Sequence, residues 1–108
     1  MALTKDFRET VQTRARESAP YRRALLVESM DCFLSGETDV GKSILRDYIN
    51  ATVGFEPLAK ALNKNPKSLH RMLAPAGNPN ASNLFEIISF LQDREGVALK
   101  VSAKRQAS

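Results

Sequence analysis

A chain of 108 residues can hold one modest hydrophobic core, and its 43% apolar and 26% charged content is ordinary for a globular protein. That balance excludes wholesale disorder, and no apolar run approaches the roughly 18 residues that a membrane span needs. The opening MALTKDFRET lacks the apolar stretch of a signal peptide, so a cytoplasmic location is expected. Cys32 and His70 are each the sole residue of their type, which excludes an internal disulfide and a conventional zinc site. Neither a cofactor nor a metal is expected.

The net charge of +4 is unevenly spread. Residues 1–25 carry six Lys/Arg against three Asp/Glu, and residues 26–54 carry two against five. The excess returns in residues 55–79, with four against one, before 80–108 hold four against three. A local basic surface of this kind suits phosphate groups.

In chain order, residues 5–17 place Phe7, Val11 and Ala15 at i, i+4 and i+8, predicting an amphipathic helix. Ser18 caps a second helix with Pro20 in its first turn; Tyr21, Ala24, Leu25, Cys32, Phe33 and Leu34 supply apolar surface, and Gly36 stops it. A third helix from Thr38 to Ala51 buries Ile44, Leu45, Tyr48 and Ile49, and Gly54 ends the N-terminal helical region, residues 1–53. Core positions are the default for the aromatic residues throughout, Phe7 and Phe85 included.

Residues 54–96 form the next region. Phe55, Leu58, Ala59 and Leu62 share one helical face, and the pattern breaks at Asn63-Lys64-Asn65. Asn65 is a good N-cap with Pro66 at the first helical position, and Leu69, Met72 and Leu73 face inward from a second short helix. Lys67 and Arg71 fall opposite that apolar face, with Ser68 and His70 on its flanks. Two short helices joined by a tight turn, the second basic on its outside, have the form of a helix-turn-helix unit that enters a DNA groove. After the PAGNPN loop, Asn80 caps a helix over 81–95 with Leu84, Ile87, Ile88 and Leu91 on one side, ended by Gly96.

Residues 97–108 begin with Val97, Leu99 and Val101 alternating against Ala98 and Lys100, which predicts a short C-terminal β-strand before a polar tail. Such a strand has no partner within the chain. It can lie flat on the helices or pair with the same strand of a second copy, and the homodimer is favoured because it suits two-fold symmetric DNA. The expected fold class is all-α: one domain of five to six helices with a helix-turn-helix and that strand.

GETDVGKS, residues 36–43, matches the phosphate-loop pattern G-x-x-x-x-G-K-[ST]. A phosphate loop follows a buried strand, whereas a helical segment precedes this one, and Glu37 and Asp39 would repel phosphate. The match is expected to be inert, with Lys42→Ala nearly silent for stability. No nucleophile–base set has a plausible architecture, so the chain is not expected to be an enzyme. Asn50-Ala51-Thr52 is a chance match to a glycosylation sequon.

From Gly54 onward the residues resemble the Cro/lambda-repressor class of helix-turn-helix proteins and, more narrowly, the addiction-module antidote proteins, antitoxins of RelE/HigB-type toxins. The resemblance is carried by Leu58-Ala59, Leu62, Pro66-Lys67-Ser68-Leu69, Arg71-Met72-Leu73, Gly77-Asn78-Pro79, Asn83-Leu84 and Gly96-Val97, about half of the chain. Asn63 stands where that class usually has glycine, and Asn tolerates the left-handed conformation. The N-terminal half is longer and more basic than the antitoxin pattern. The resemblance implies operator DNA in the major groove, autoregulation and a small toxin protein as partner. The expected DNA contacts are Lys67, Ser68 and Arg71 at base edges with Asn65 and His70 beside them, and Lys64 and the helix start at Ser82 and Asn83 on phosphates. The acidic residues Glu28, Asp31, Glu37, Asp39 and Asp47 would suit a basic toxin. A stand-alone or phage-type repressor, or a helical protein-interaction module without DNA binding, is the alternative.

Overall fold

The structure, a computed structural model, describes residues 4–107. Six helices follow one another: α1 (Lys5–Glu17), α2 (Ala19–Leu34), α3 (Thr38–Ala51), α4 (Phe55–Ala61), α5 (Pro66–Leu73) and α6 (Ala81–Glu95). Their limits follow from local chemistry. The Ser18 hydroxyl accepts from the Tyr21 N–H, Asn65 from Lys67 and Asn80 from Asn83, each satisfying a donor that the first helical turn leaves unpaired. At the other ends, the Glu37 N–H reaches back to Cys32 O and the Val97 N–H to Gln92 O, around the left-handed Gly36 and Gly96.

All six helices contribute to one buried cluster, from Ala15 of α1 through Leu26, Leu45, Tyr48, Leu58, Leu69 and Leu73 to Ile87 and Leu91 of α6. α1, α2 and α3 pack mutually, α4 packs on α5, and α5 also touches α3. The Cα radius of gyration, 13.8 Å, is near the ~13 Å expected for a folded chain of this length.

Two polar clusters pin the helices at their edges. The Asp47 carboxylate of α3, 3% exposed, accepts from Gln12 Nε2 at 3.2 Å and lies 3.6 Å from Arg8 Nη1, tying α1 to α3. Glu95 at the end of α6 accepts from the Tyr48 hydroxyl, from Arg22 Nε at 2.9 and 3.0 Å, and from Arg23 Nε at 3.4 Å. Burial alone would push the Glu95 carboxyl up, but the Tyr48 hydrogen bond and the Arg22 guanidinium outweigh it and hold the group below the usual carboxylate range. A depressed native pKa means stability that is full above the unfolded value and lost as pH falls through the native one. Glu95→Gln should therefore lower the unfolding free energy at neutral pH by roughly 1–3 kcal/mol, read as a lower urea midpoint. The gap to the parent should narrow as pH falls below the ordinary glutamate value, about 4.3, and on through the lower native one. An equal gap at pH 7 and pH 3 would contradict the ionised cluster.

The C-terminal strand is not formed. Residues 97–107 carry no regular secondary structure, and no strand occurs among the described residues. Lacking a second strand, the segment turns its Leu99 side chain onto the core, and the Leu99 N–H donates to Gln92 Oε1 at 2.7 Å. Two expected core positions, the aromatics Phe7 and Phe85, are also corrected. They are 51% and 56% exposed, and Leu34, which supplies apolar surface on α2, is 64% exposed. Cys32 is buried as a small apolar group, and burial, then Glu37, Glu28 and Asp31, pushes its thiol pKa up, away from reactivity.

Candidate nucleic-acid interface

The turn between α4 and α5, residues 62–65, is closed by backbone chemistry. The Asn63 N–H donates to Lys60 O and the Lys64 N–H to Ala59 O at 2.8 Å, with Asn63 at φ 56°. That is the paired 5→2 and 6→1 bonding of a helix end with a left-handed residue, here asparagine in place of glycine. Asn65 then starts α5, its side chain taken up by the Lys67 N–H.

α5 is fixed from two directions. Leu69 and Leu73 are fully buried below it. At its C-terminal end, Lys42 of α3 donates from Nζ to Ala74 O and Pro75 O at 3.2 Å each and to Gly77 O at 2.6 Å, while lying 3.4 Å from Asp39 Oδ1. Arg46, one turn further along α3, donates from Nη1 to Leu73 O. Two cations thus meet the carbonyl end of the helix, where the backbone dipole favours positive charge. Gly77 makes the arrangement possible, since a Cβ there would lie 2.0 Å from Arg71 O.

These contacts correct the expectation for residues 36–43. Lys42 is 2% exposed and is a structural clamp, so Lys42→Ala cannot be silent. Gly36 ends α2, Gly41 lies where a Cβ would come within 2.9 Å of the Phe33 ring, and Ser43 accepts from Arg8 Nη2. Each residue that makes the phosphate-loop match has a role in helix packing.

On the outer side of α5, Lys67, Ser68, His70 and Arg71 are all exposed. Lys67, His70 and Arg71 join Arg46, Ala74 and Pro75 around a shallow hollow of about 550 Å³. The side chains of Lys67 and Arg71 have no hydrogen-bond or carboxylate partner among the described residues. The His70 ring stacks on Phe55 at 3.9 Å between centroids and 21° between planes, bridging α5 to the start of α4. One face of the imidazole is therefore occupied.

The remaining expected residues are placed differently. Lys64 Nζ is 2.9 Å from Glu86 Oε1 and donates to Asn83 Oδ1 at 3.1 Å, so Lys64 and Asn83 join the turn to α6. The ion pair reduces the charge that Lys64 can offer a phosphate. Ser82 is exposed in the first turn of α6, and Asn65 is exposed as a cap. Arg46 is the basic residue that sequence reasoning missed. Its spacing of four from Lys42 was the available signal, since i and i+4 share a helix face. Burial lowers its proton affinity, as does the neighbouring charge of Arg8.

No family model, curated protein or solved structure matches the chain. No helix is long and apolar enough to cross a membrane among the described residues, and no group of three or more His, Cys, Asp or Glu there could hold a metal ion.

Proposed function

We propose that the chain is a sequence-specific DNA-binding transcriptional regulator, with α4, the 62–65 turn and α5 acting as a helix-turn-helix. One observation carries this reading: α5 is held rigidly by its core face and its carbonyl end, while Lys67, Ser68 and Arg71 project outward with two unpartnered cations. An arginine held this way can donate two bonds to a guanine edge, and a lysine can meet base or phosphate. Asn65 caps the same helix and the imidazole edge of His70 lies on it, and Ser82 at the exposed start of α6 is a further candidate phosphate contact. Lys64 and Asn83 act mainly by setting the angle between α5 and α6. Footprinting on DNA upstream of its own coding region tests the reading, with protection over a short two-fold symmetric site as the expected result. Uniform coating with no preferred site would contradict it.

The regulator is proposed to work in the cytoplasm as a homodimer. The C-terminal segment borders an open apolar hollow with Val27, Leu34 and Phe85, and Val101 beside it is 77% exposed. An apolar surface of this kind is a common site of association. Val101→Asp removes nothing from the monomer core, so it should keep the helical circular dichroism and convert a sedimenting dimer to a monomer. A parent chain that sediments as a monomer at micromolar concentration would contradict the dimer.

Autoregulation as the antitoxin of a toxin–antitoxin module is the narrower proposal. Glu28, Asp31, Glu37 and Asp39 are exposed and suit a basic partner, whereas Asp47 is engaged by Arg8 and Gln12 and is withdrawn from that surface. Co-expression with the neighbouring reading frame distinguishes it from a stand-alone repressor. Growth arrest by the neighbour, relieved by this chain through a stable complex, is the expected result.

A further inference from the structure

A second basic site lies away from α5. The end of α1 (Arg16), the start of α2 (Arg22 and Arg23), the end of α3 (Ala51 and Thr52) and the end of α6 (Arg94 and Glu95) line an open hollow of about 280 Å³. It sits at the opposite end of α3 from the clamp, since Lys42 to Ala51 spans roughly 14 Å of helix axis. Four guanidinium groups face one carboxylate there. Both Glu95 oxygens are already engaged, Oε1 by Tyr48 and Arg22 and Oε2 by Arg22 and Arg23.

Cations at helix C-termini also serve to offset the backbone dipole, and α1, α3 and α6 all end here. Arginines in that role alone would donate to the terminal carbonyls. Of the four arginines at this hollow, Arg22 alone does so within the described residues, from Nη1 to Ala15 O at 3.3 Å. Arg16 makes one 3.4 Å bond to the Thr13 hydroxyl, Arg23 one 3.4 Å bond to Glu95, and Arg94 none. A guanidinium carries five N–H donors in a planar fork that matches two oxygens of a phosphate. Most of these donors remain available around a hollow large enough for a phosphate group.

We propose that this arginine hollow is a phosphate-binding site, with Arg16, Arg23 and Arg94 donating to the phosphate oxygens and Glu95 holding Arg22 and Arg23 in place. The phosphate can be free in solution or part of a nucleic-acid backbone. The inference stands apart from the DNA reading of α5, and its test is read at different residues.

Titration of the full chain with inorganic phosphate, against chloride at matched ionic strength, is followed by NMR at the arginine Nε–Hε groups. The comparison is Arg16→Gln combined with Arg94→Gln, two exposed residues outside the Glu95 cluster. Saturable shifts at Arg16, Arg23 and Arg94, weakened roughly tenfold or more at Arg23 in the double variant, would assign a free phosphate ligand. The second arm uses a short duplex of arbitrary sequence. Silence toward phosphate, with a double variant whose duplex affinity has lost about two units of salt dependence, would assign a backbone phosphate. Phosphate shifts that the variant leaves unchanged, or no response in either arm, would overturn the site. Loss of α5-dependent DNA recognition would leave both arms readable.

Discussion

Replacing Lys67 and Arg71 together by alanine should abolish specific retardation of operator DNA while leaving the protein folded. Both side chains are exposed, neither is bonded to another residue in the described structure, and alanine favours the helix. The stability cost should stay within about 0.5 kcal/mol, as for surface substitutions elsewhere. Losing a bidentate arginine contact removes roughly 1–3 kcal/mol of base discrimination, and losing the lysine removes a further charge contact. Together these amount to a loss of roughly thirtyfold to a thousandfold in affinity for the preferred site. Gel retardation beside circular dichroism checks both halves. A variant that retards the operator as well as the parent would show that α5 does not face the groove.

Lys42→Met should be among the most destabilising single substitutions in the chain. Methionine fills similar space, so the expected loss comes from the ammonium and not from a cavity. Removing it leaves the carbonyls of Ala74, Pro75 and Gly77, at the end of α5 and in the loop beyond it, without the donor that the 2% exposed Lys42 supplies. Hydrogen bonds to a charged group contribute about 1.5–3 kcal/mol each, and shared donors are not additive, so a total of roughly 2–4 kcal/mol is expected. Urea denaturation measures it through the midpoint. The same variant should weaken operator binding, because the end of α5 loosens. An unchanged midpoint would contradict the clamp, and magnesium-dependent nucleotide binding lost with Lys42 would return residues 36–43 to a phosphate-loop role.

Local chemistry made the helices legible. Ser18, Asn65 and Asn80 announce helix starts, and Gly36 and Gly96 announce ends, because caps depend on residues within a few positions of each other. Asn63 in the left-handed conformation is what the resemblance implied, since asparagine stands there at a position where that class usually has glycine. Features set by long-range contact were hidden. Lys42 meets a loop 32 to 35 residues later, Lys64 meets Glu86, and Asp47 meets Arg8. Periodicity places such residues on a face but does not name what lies across from them. The alternation at 97–101 depends on a partner in a related way: a strand needs a second strand, and within the single chain the nearest surface is helical.

For the proposed interface, the sequence located Lys67, Ser68, His70 and Arg71 on one exposed surface, and the structure added Arg46 and the stacking of His70 on Phe55. It also reassigned Lys64 and Asn83 from an open phosphate contact to a bridge between the turn and α6. Lys64→Ala should accordingly change the salt dependence of DNA binding by less than the roughly 0.9 of one full phosphate contact.

Selection from a pool of random DNA duplexes, run with the full chain at physiological salt, tests the central claim most directly. The account predicts enrichment of one short sequence with two-fold symmetry, lost when Lys67 and Arg71 are both alanine. Recovery of an unenriched pool by the parent chain would contradict it.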